Sequence, residues 1–208
     1  MTLTLFDSIR QIVRDELGQV RTAELATVQK QHPHESDGDS DNYACTVALR
    51  ESGIVLARVP VATGRIGTAS IPAVGELVLV QFVNGDVNAP VIVGRLYNDE
   101  DRPPPNGDGQ LVMHLPLGAS DDSAVHIEVH SNGSRKAIVK LGAALDLTLQ
   151  DDDPVVTVDV GGNAKLTIGK DGSIEIKSAT TLAIEASSDL SIKAQGQLTL
   201  KGSVVNIN

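Results

Sequence analysis

Apolar residues recur in pairs every eight positions from residue 158 to residue 200, and no other feature narrows the possible folds as far. The pairs are Val158/Val160, Leu166/Ile168, Ile174/Ile176, Leu182/Ile184, Leu190/Ile192 and Leu198/Leu200. One residue separates the members of each pair, so on an extended backbone both point to one face while Thr167, Glu175 and Lys193 point away. Each unit thus has one narrow apolar face and nothing within itself to cover it. Eight residues reach at most ~26 Å, too little for one chain to complete a several-sided coil in a single unit. Three chains, each supplying one side of a triangular prism, would bring the pairs together on an axis and let successive units hydrogen-bond to neighbouring chains. The period therefore predicts an intertwined triple-stranded β-helix over residues 158–208, in which folding and trimerisation are one event. A single-chain β-helix usually repeats at about 20 residues, and a meander of hairpins needs turn residues at alternating junctions. The stretch ATTLAIEASSDLSIKAQGQLTL, residues 179–200, supplies neither.

Composition agrees with narrow β cores. The chain is 41% hydrophobic but only 2% aromatic, so its apolar content is small or branched aliphatic. A formal charge of -10 argues against a protein whose task is to neutralise phosphates, and no nucleic acid is expected as a specific ligand. Cys45 is the only cysteine, which excludes an intrachain disulfide and a multi-cysteine zinc site. No apolar run approaches the ~20 residues that cross a bilayer, and the N-terminus lacks the pattern of a secretory leader, so synthesis in a cytosol is expected.

Along the chain, Phe6, Ile9, Ile12, Val13 and Leu17 predict a short amphipathic helix over residues 3–17, with Gly18 ending a first segment of residues 1–18. Such a helix is marginal alone, and its stripe must dock on the next domain, on symmetry mates or on another protein. Strands follow at 23–30, 43–49, 54–62, 76–83 and 90–97, with a solvated loop at 31–42 and an NGD turn at 84–86. Five short strands between residues 19 and 100 describe a small antiparallel barrel of the OB type. DRPPPNGDG within residues 101–110 is a stiff proline-rich connector. Beyond it, residues 111–157 read as an irregular β region of short alternating strands ahead of the octads.

Chemistry is sparse. His32 and His34 lie among Glu35, Asp37, Asp39 and Asp41, but without the spacing of a calcium loop, and they read as a mobile polar loop. His126, Glu128 and His130 share one strand face, most simply a surface one. Asp151, Asp152 and Asp153 before Pro154 behave as a turn, and Gly161 and Gly162 are not followed by a phosphate-loop lysine. No catalytic residue, metal ligand or cofactor site is assigned.

The stretch IPAVGELVLVQFVNGDVNAPVIVGRLYNDEDRPP, residues 71–104, resembles the OB-domain signature of phage baseplate assembly protein V and of the VgrG spikes of type VI secretion. The resemblance rests on Pro72 and Gly75 before a hydrophobic strand, Phe82 with Gly85 and Asp86, then Pro90, and Gly94, Arg95, Leu96 and Tyr97 before a proline-rich exit. It implies an all-β homotrimer acting as the central spike of a contractile tail or injection-system baseplate. It also implies a central hub or tail-tube-proximal protein at the OB end, the target outer membrane as the obstacle, and a location in a virion tail or injection particle. The last histidine is His130, so the His-x-His iron apex of short phage spikes is missing. A blunt end at Val205, Ile207 and Asn208 resembles the VgrG termini that receive a PAAR-like tip protein. A trimeric cell-surface or carbohydrate-binding fibre is the alternative, although Tyr43 and Tyr97 are the only tyrosines and tryptophan is absent.

Overall fold

The computed structural model describes residues 5–19 and 22–206. Apart from one helix, α1 (Leu5–Gln19), its long elements are strands, and the chain divides between Pro103 and Pro104 into two units.

The first unit holds β1 (Ala23–His32), β2 (Ala44–Leu49), β3 (Val55–Pro60), β4 (Leu77–Phe82) and β5 (Pro90–Leu96), paired in the order β3-β2-β1-β4-β5. All four ladders are antiparallel. The edges then meet, because Val61 just past β3 pairs in parallel with Ile92 of β5, and the Ala62 amide donates to the Ile92 carbonyl at 2.8 Å. Five strands closed in this order form an OB barrel. Closure requires strong local bending, and each of the β1–β2, β2–β3 and β4–β5 ladders contains a register shift that supplies it.

Alternation decides which side chains fill the barrel. Cys45, Val47 and Leu49 of β2 and Val78, Val80 and Phe82 of β4 point inward and join Ala26, Val28, Val59 and Ile92 in one buried cluster. Phe82 is the only aromatic ring in it, as a barrel built from short aliphatic side chains allows. The NGD turn is present, with Asn84 and Gly85 both at positive φ. Burial pushes the Cys45 thiol above its usual range, which suits a packing role.

One expectation about the N-terminal segment changes, for the helix continues through Gly18 to Gln19. Of the three surfaces on which its stripe could dock, the barrel does not cover Phe6 or Ile12, which are 79% and 61% exposed.

The second unit is an antiparallel meander of β6 (Gln110–Leu115), β7 (Val125–His130), β8 (Lys136–Leu141), β9 (Leu145–Gln150), β10 (Val156–Val160), β11 (Ala164–Ile168) and β12 (Ile174–Ser178). Each strand pairs only with its neighbours in sequence. Residues 111–157 are thus regular hairpins.

If the barrel's interior stabilises the first unit as described, Leu49→Ala should lower the stability of that unit by about 2 to 5 kcal/mol, the usual cost of emptying a buried leucine site. Chemical denaturation of the wild-type and variant chains measures it, with the half-exposed Val93→Ala as a control of little effect.

Candidate functional site

The register of the seven-stranded sheet sorts its side chains. One row crosses every strand as Met113, Ile127, Val139, Leu147, Val158, Leu166 and Ile176, each opposite the next. A parallel row runs Leu111, Val129, Ala137, Leu149, Val156, Ile168 and Ile174. Both rows lie on one face, which is apolar from edge to edge. It has no cover, for Leu111 and Ile174 are 69% and 66% exposed and Leu149 and Ile176 are also open. A continuous apolar patch across seven strands is far more than a soluble chain normally shows to water.

The octad pairs divide between two settings. Val158/Val160, Leu166/Ile168 and Ile174/Ile176 do point to a common face, but they stand in β10, β11 and β12, joined as hairpins within one chain. The sequence reading puts residues 158–208 in one intertwined helix, whereas these three strands pair within the chain. The reason lies in the corners. Gly161 and Gly162 both have positive φ at the β10–β11 turn, and Asp171-Gly172 closes the next with Gly169 and Ser173 hydrogen-bonded at 2.8 Å. Beyond β12 such corners cease, and so does pairing within the chain. Among the described residues the last backbone–backbone bond runs from the Ala179 amide to Asn163. Leu182, Ile184, Leu190, Ile192, Leu198, Leu200 and Val205 are all exposed, while Ile207 and Asn208 lie outside the described residues.

The opposite face is polar. Asp151 serves the β9–β10 turn by accepting hydrogen bonds from Arg135 Nε at 2.8 Å and Ser134 Oγ at 2.9 Å, which hold its carboxyl below the usual range. Asp153 accepts from the Lys170 amide, so the acidic triplet ties neighbouring corners together. Across β6 and β7 runs a row that sequence reading caught only in part. His126 and His130 reach Glu128 at 3.3 and 2.5 Å, as their shared face suggested, and the cross-strand partners Gln110 and His114 extend the row. Burial alone would raise Glu128, but its hydrogen bonds with His126 and His130 outweigh this and lower it. The alternation QLVMH opposite HIEVH was the available signal; only the register joins the two.

In the first unit, His32 is buried against Thr46 Oγ1 at 3.0 Å, and Asp41 lies beside both His32 and Arg58. Among the described residues no group of three or more His, Cys, Asp or Glu side chains is gathered as for a metal ion. No helix among them is long and apolar enough to cross a membrane.

Residues 50–97, from just after β2 to just after β5, match the family of type VI secretion system/phage-baseplate injector OB domains.

The apolar face and the unpaired tail make one test. If copies of the chain cover these surfaces for one another, Ile176→Asp and Leu190→Asp should each abolish assembly, because unpaired charges would be carried into the shared apolar interior. Lys193→Gln, next to Ile192 but outside the apolar pairs, should leave assembly unchanged. Size-exclusion chromatography with light scattering reads all three.

Proposed function

We propose that this chain, whose residues 50–97 carry the OB domain of the phage-baseplate and type VI secretion injector family, is the central spike of a contractile tail or injection-system baseplate. One observation supports this reading most. The chain attaches to that domain a sheet that is apolar along one whole face, then a tail of further apolar pairs with no partners of its own. An enzyme would spend such a surface on nothing. A fibre made of several copies needs it, for each copy's exposed face becomes the others' interior.

In this reading three copies bring their apolar faces to a common axis, first as three hairpin sheets and then, from about residue 179, as an intertwined helix. The polar faces turn outward to water. Sheath contraction supplies the force, and the spike's work is mechanical: to stay folded as it is driven through the target envelope. The OB end meets a hub or tube-proximal baseplate protein, and the C-terminal end carries a PAAR-like tip. Because the matched family spans both systems, a type VI secretion spike component is the second reading.

Light scattering of the purified chain should give about three times 21.8 kDa, whereas a stable folded monomer would remove the shared interior and the proposal with it. Deleting residues 203–208 should leave the assembly intact, held by the earlier pairs, while abolishing capture of a PAAR-like partner in a pull-down. Equal capture by the truncated and intact chains would place the tip elsewhere.

A further inference from the structure

The polar row on β6 and β7 is a continuous chain of six polar contacts, and its hydrogens can be counted. Gln110 Oε1 accepts from the Gly107 amide at 2.7 Å, so the Gln110 amide nitrogen is the atom that donates to His130 Nδ1, 3.2 Å away. His130 Nε2 faces a Glu128 oxygen at 2.5 Å and must donate to it. His130 is thereby satisfied as a neutral ring with its hydrogen on Nε2.

The next two rings differ. His126 Nε2 faces the other Glu128 oxygen at 3.3 Å, and His114 Nε2 faces the Ala119 carbonyl at 2.9 Å. A carboxylate and a carbonyl only accept, so both Nε2 atoms carry hydrogen. Yet His114 Nδ1 and His126 Nδ1 lie 3.2 Å apart. With ring centroids at 5.5 Å, a separation close to that gap plus two ring radii, the two nitrogens face each other head-on. Two neutral rings bring two hydrogens to three contacts, and the third contact would set lone pair against lone pair.

We infer that His114 and His126 hold one additional proton between their Nδ1 atoms, and that this proton clasps the connection at residues 116–124 to the sheet. Three hydrogens on two rings then fill three contacts, with Glu128 as the counter-charge. Removing the proton opens one of the three contacts. Adding another sets two N–H groups and two positive charges against each other. The clasp is therefore complete only in the singly charged state.

The other charged groups around the pair come from three elements. From β8, Lys140 lies opposite His126 and Lys136 opposite His130, and Lys140 is itself paired with Asp146 of β9 at 3.8 Å. From the connection come Asp121 and Asp122. The connection in turn seats the β8–β9 corner, for Gly142 N donates to Ala124 O at 2.8 Å and Ala143 N to Asp122 O at 3.2 Å. A side chain at Gly142 would run into the Asp122 carbonyl, so the corner lies this close to the connection only because residue 142 is glycine. Opening the clasp should loosen this whole end of the sheet.

The test uses the full chain in its natural assembly, freed of metal with a chelator, from pH 5 to 9. Nitrogen-15 spectra of the histidines should show His130 as the Nε2–H form and a hydrogen shared between the Nδ1 atoms of His114 and His126. Hydrogen exchange read by mass spectrometry, corrected for the intrinsic pH dependence, should show protection of residues 116–124 and 142–143 passing through a maximum. It should fall roughly tenfold on either side, the equivalent of one hydrogen bond to a charged group. His114→Gln should flatten that maximum, and His130→Gln should retain it. Two neutral rings without an Nδ1 hydrogen at the maximum, a flat or steadily rising profile, or a maximum unchanged in His114→Gln would each overturn the inference. So would restoration of protection by stoichiometric zinc alone. Because the wild-type spectra stand by themselves, a variant that misfolds does not rescue the idea, and neither readout depends on how many chains assemble.

Discussion

An extended strand can hide one set of its alternating side chains only when something lies over that face, and over β6 to β12 no described element of the second unit does. In register, those strands send Met113, Ile127, Val139, Leu147, Val158, Leu166 and Ile176 into a single row, with a second row beside it. Backbone hydrogen bonding is largely satisfied within the meander; burial is not. Burying apolar area is worth about 25 cal/mol per Å², and that driving force is left unspent in one copy. The organisation of the second unit, from its polar outer row to its unpaired tail, is arranged around this deficit.

The first unit meets the same constraint by closing on itself. Its five strands bend at three register shifts until Val61 reaches Ile92, and inward-facing Val47, Leu49, Val78, Val80 and Ile92 then cover one another. Here one chain suffices, and the barrel is complete as it stands. The proposed spike rests on this pairing of a self-sufficient domain with a sheet whose apolar face is open. In that proposal one part docks as a finished body, while the other becomes rigid only in company.

Much of this was legible in sequence because it follows from period. All five barrel strands fall where their alternation placed them, and Val158/Val160 through Ile174/Ile176 share a face as their spacing required. What was missed depends on partners that period does not name. Gly18 was read as a stop because glycine weakens helices, yet a single glycine near the end of a helix costs only about 1 kcal/mol. The histidine row was half visible in His126, Glu128 and His130. Its other half, Gln110 and His114, comes from a strand some fifteen residues earlier and joins only through the β6–β7 register.

The eight-residue period explains why the hairpins were also hard to foresee. In the antiparallel meander, Leu166 stands opposite Val158 and Ile176, while Ile168 stands opposite Val156 and Ile174. Between β11 and β12 reversing direction exchanges the two members of a pair, while between β10 and β11 the pairs are offset by two residues, so that Val160 stands opposite Ala164. Every residue so matched is aliphatic, so one sequence pattern serves hairpins as well as same-direction coils. The corner decides between them. Gly161-Gly162 and Asp171-Gly172 can reverse the chain tightly, and where they stand the strands pair with their own neighbours. After Ser178 the intervening residues are EASSD and KAQGQ, and no positive-φ residue occurs among those described. The chain then keeps its apolar pairs but loses the means to fold back on them. Water can satisfy the freed backbone groups of residues 180–206, but it does nothing for Leu182, Ile184, Leu190 and Ile192. In the proposed trimer that cover comes from a strand of another copy, carrying the same pairs at the same spacing and in the same need of cover.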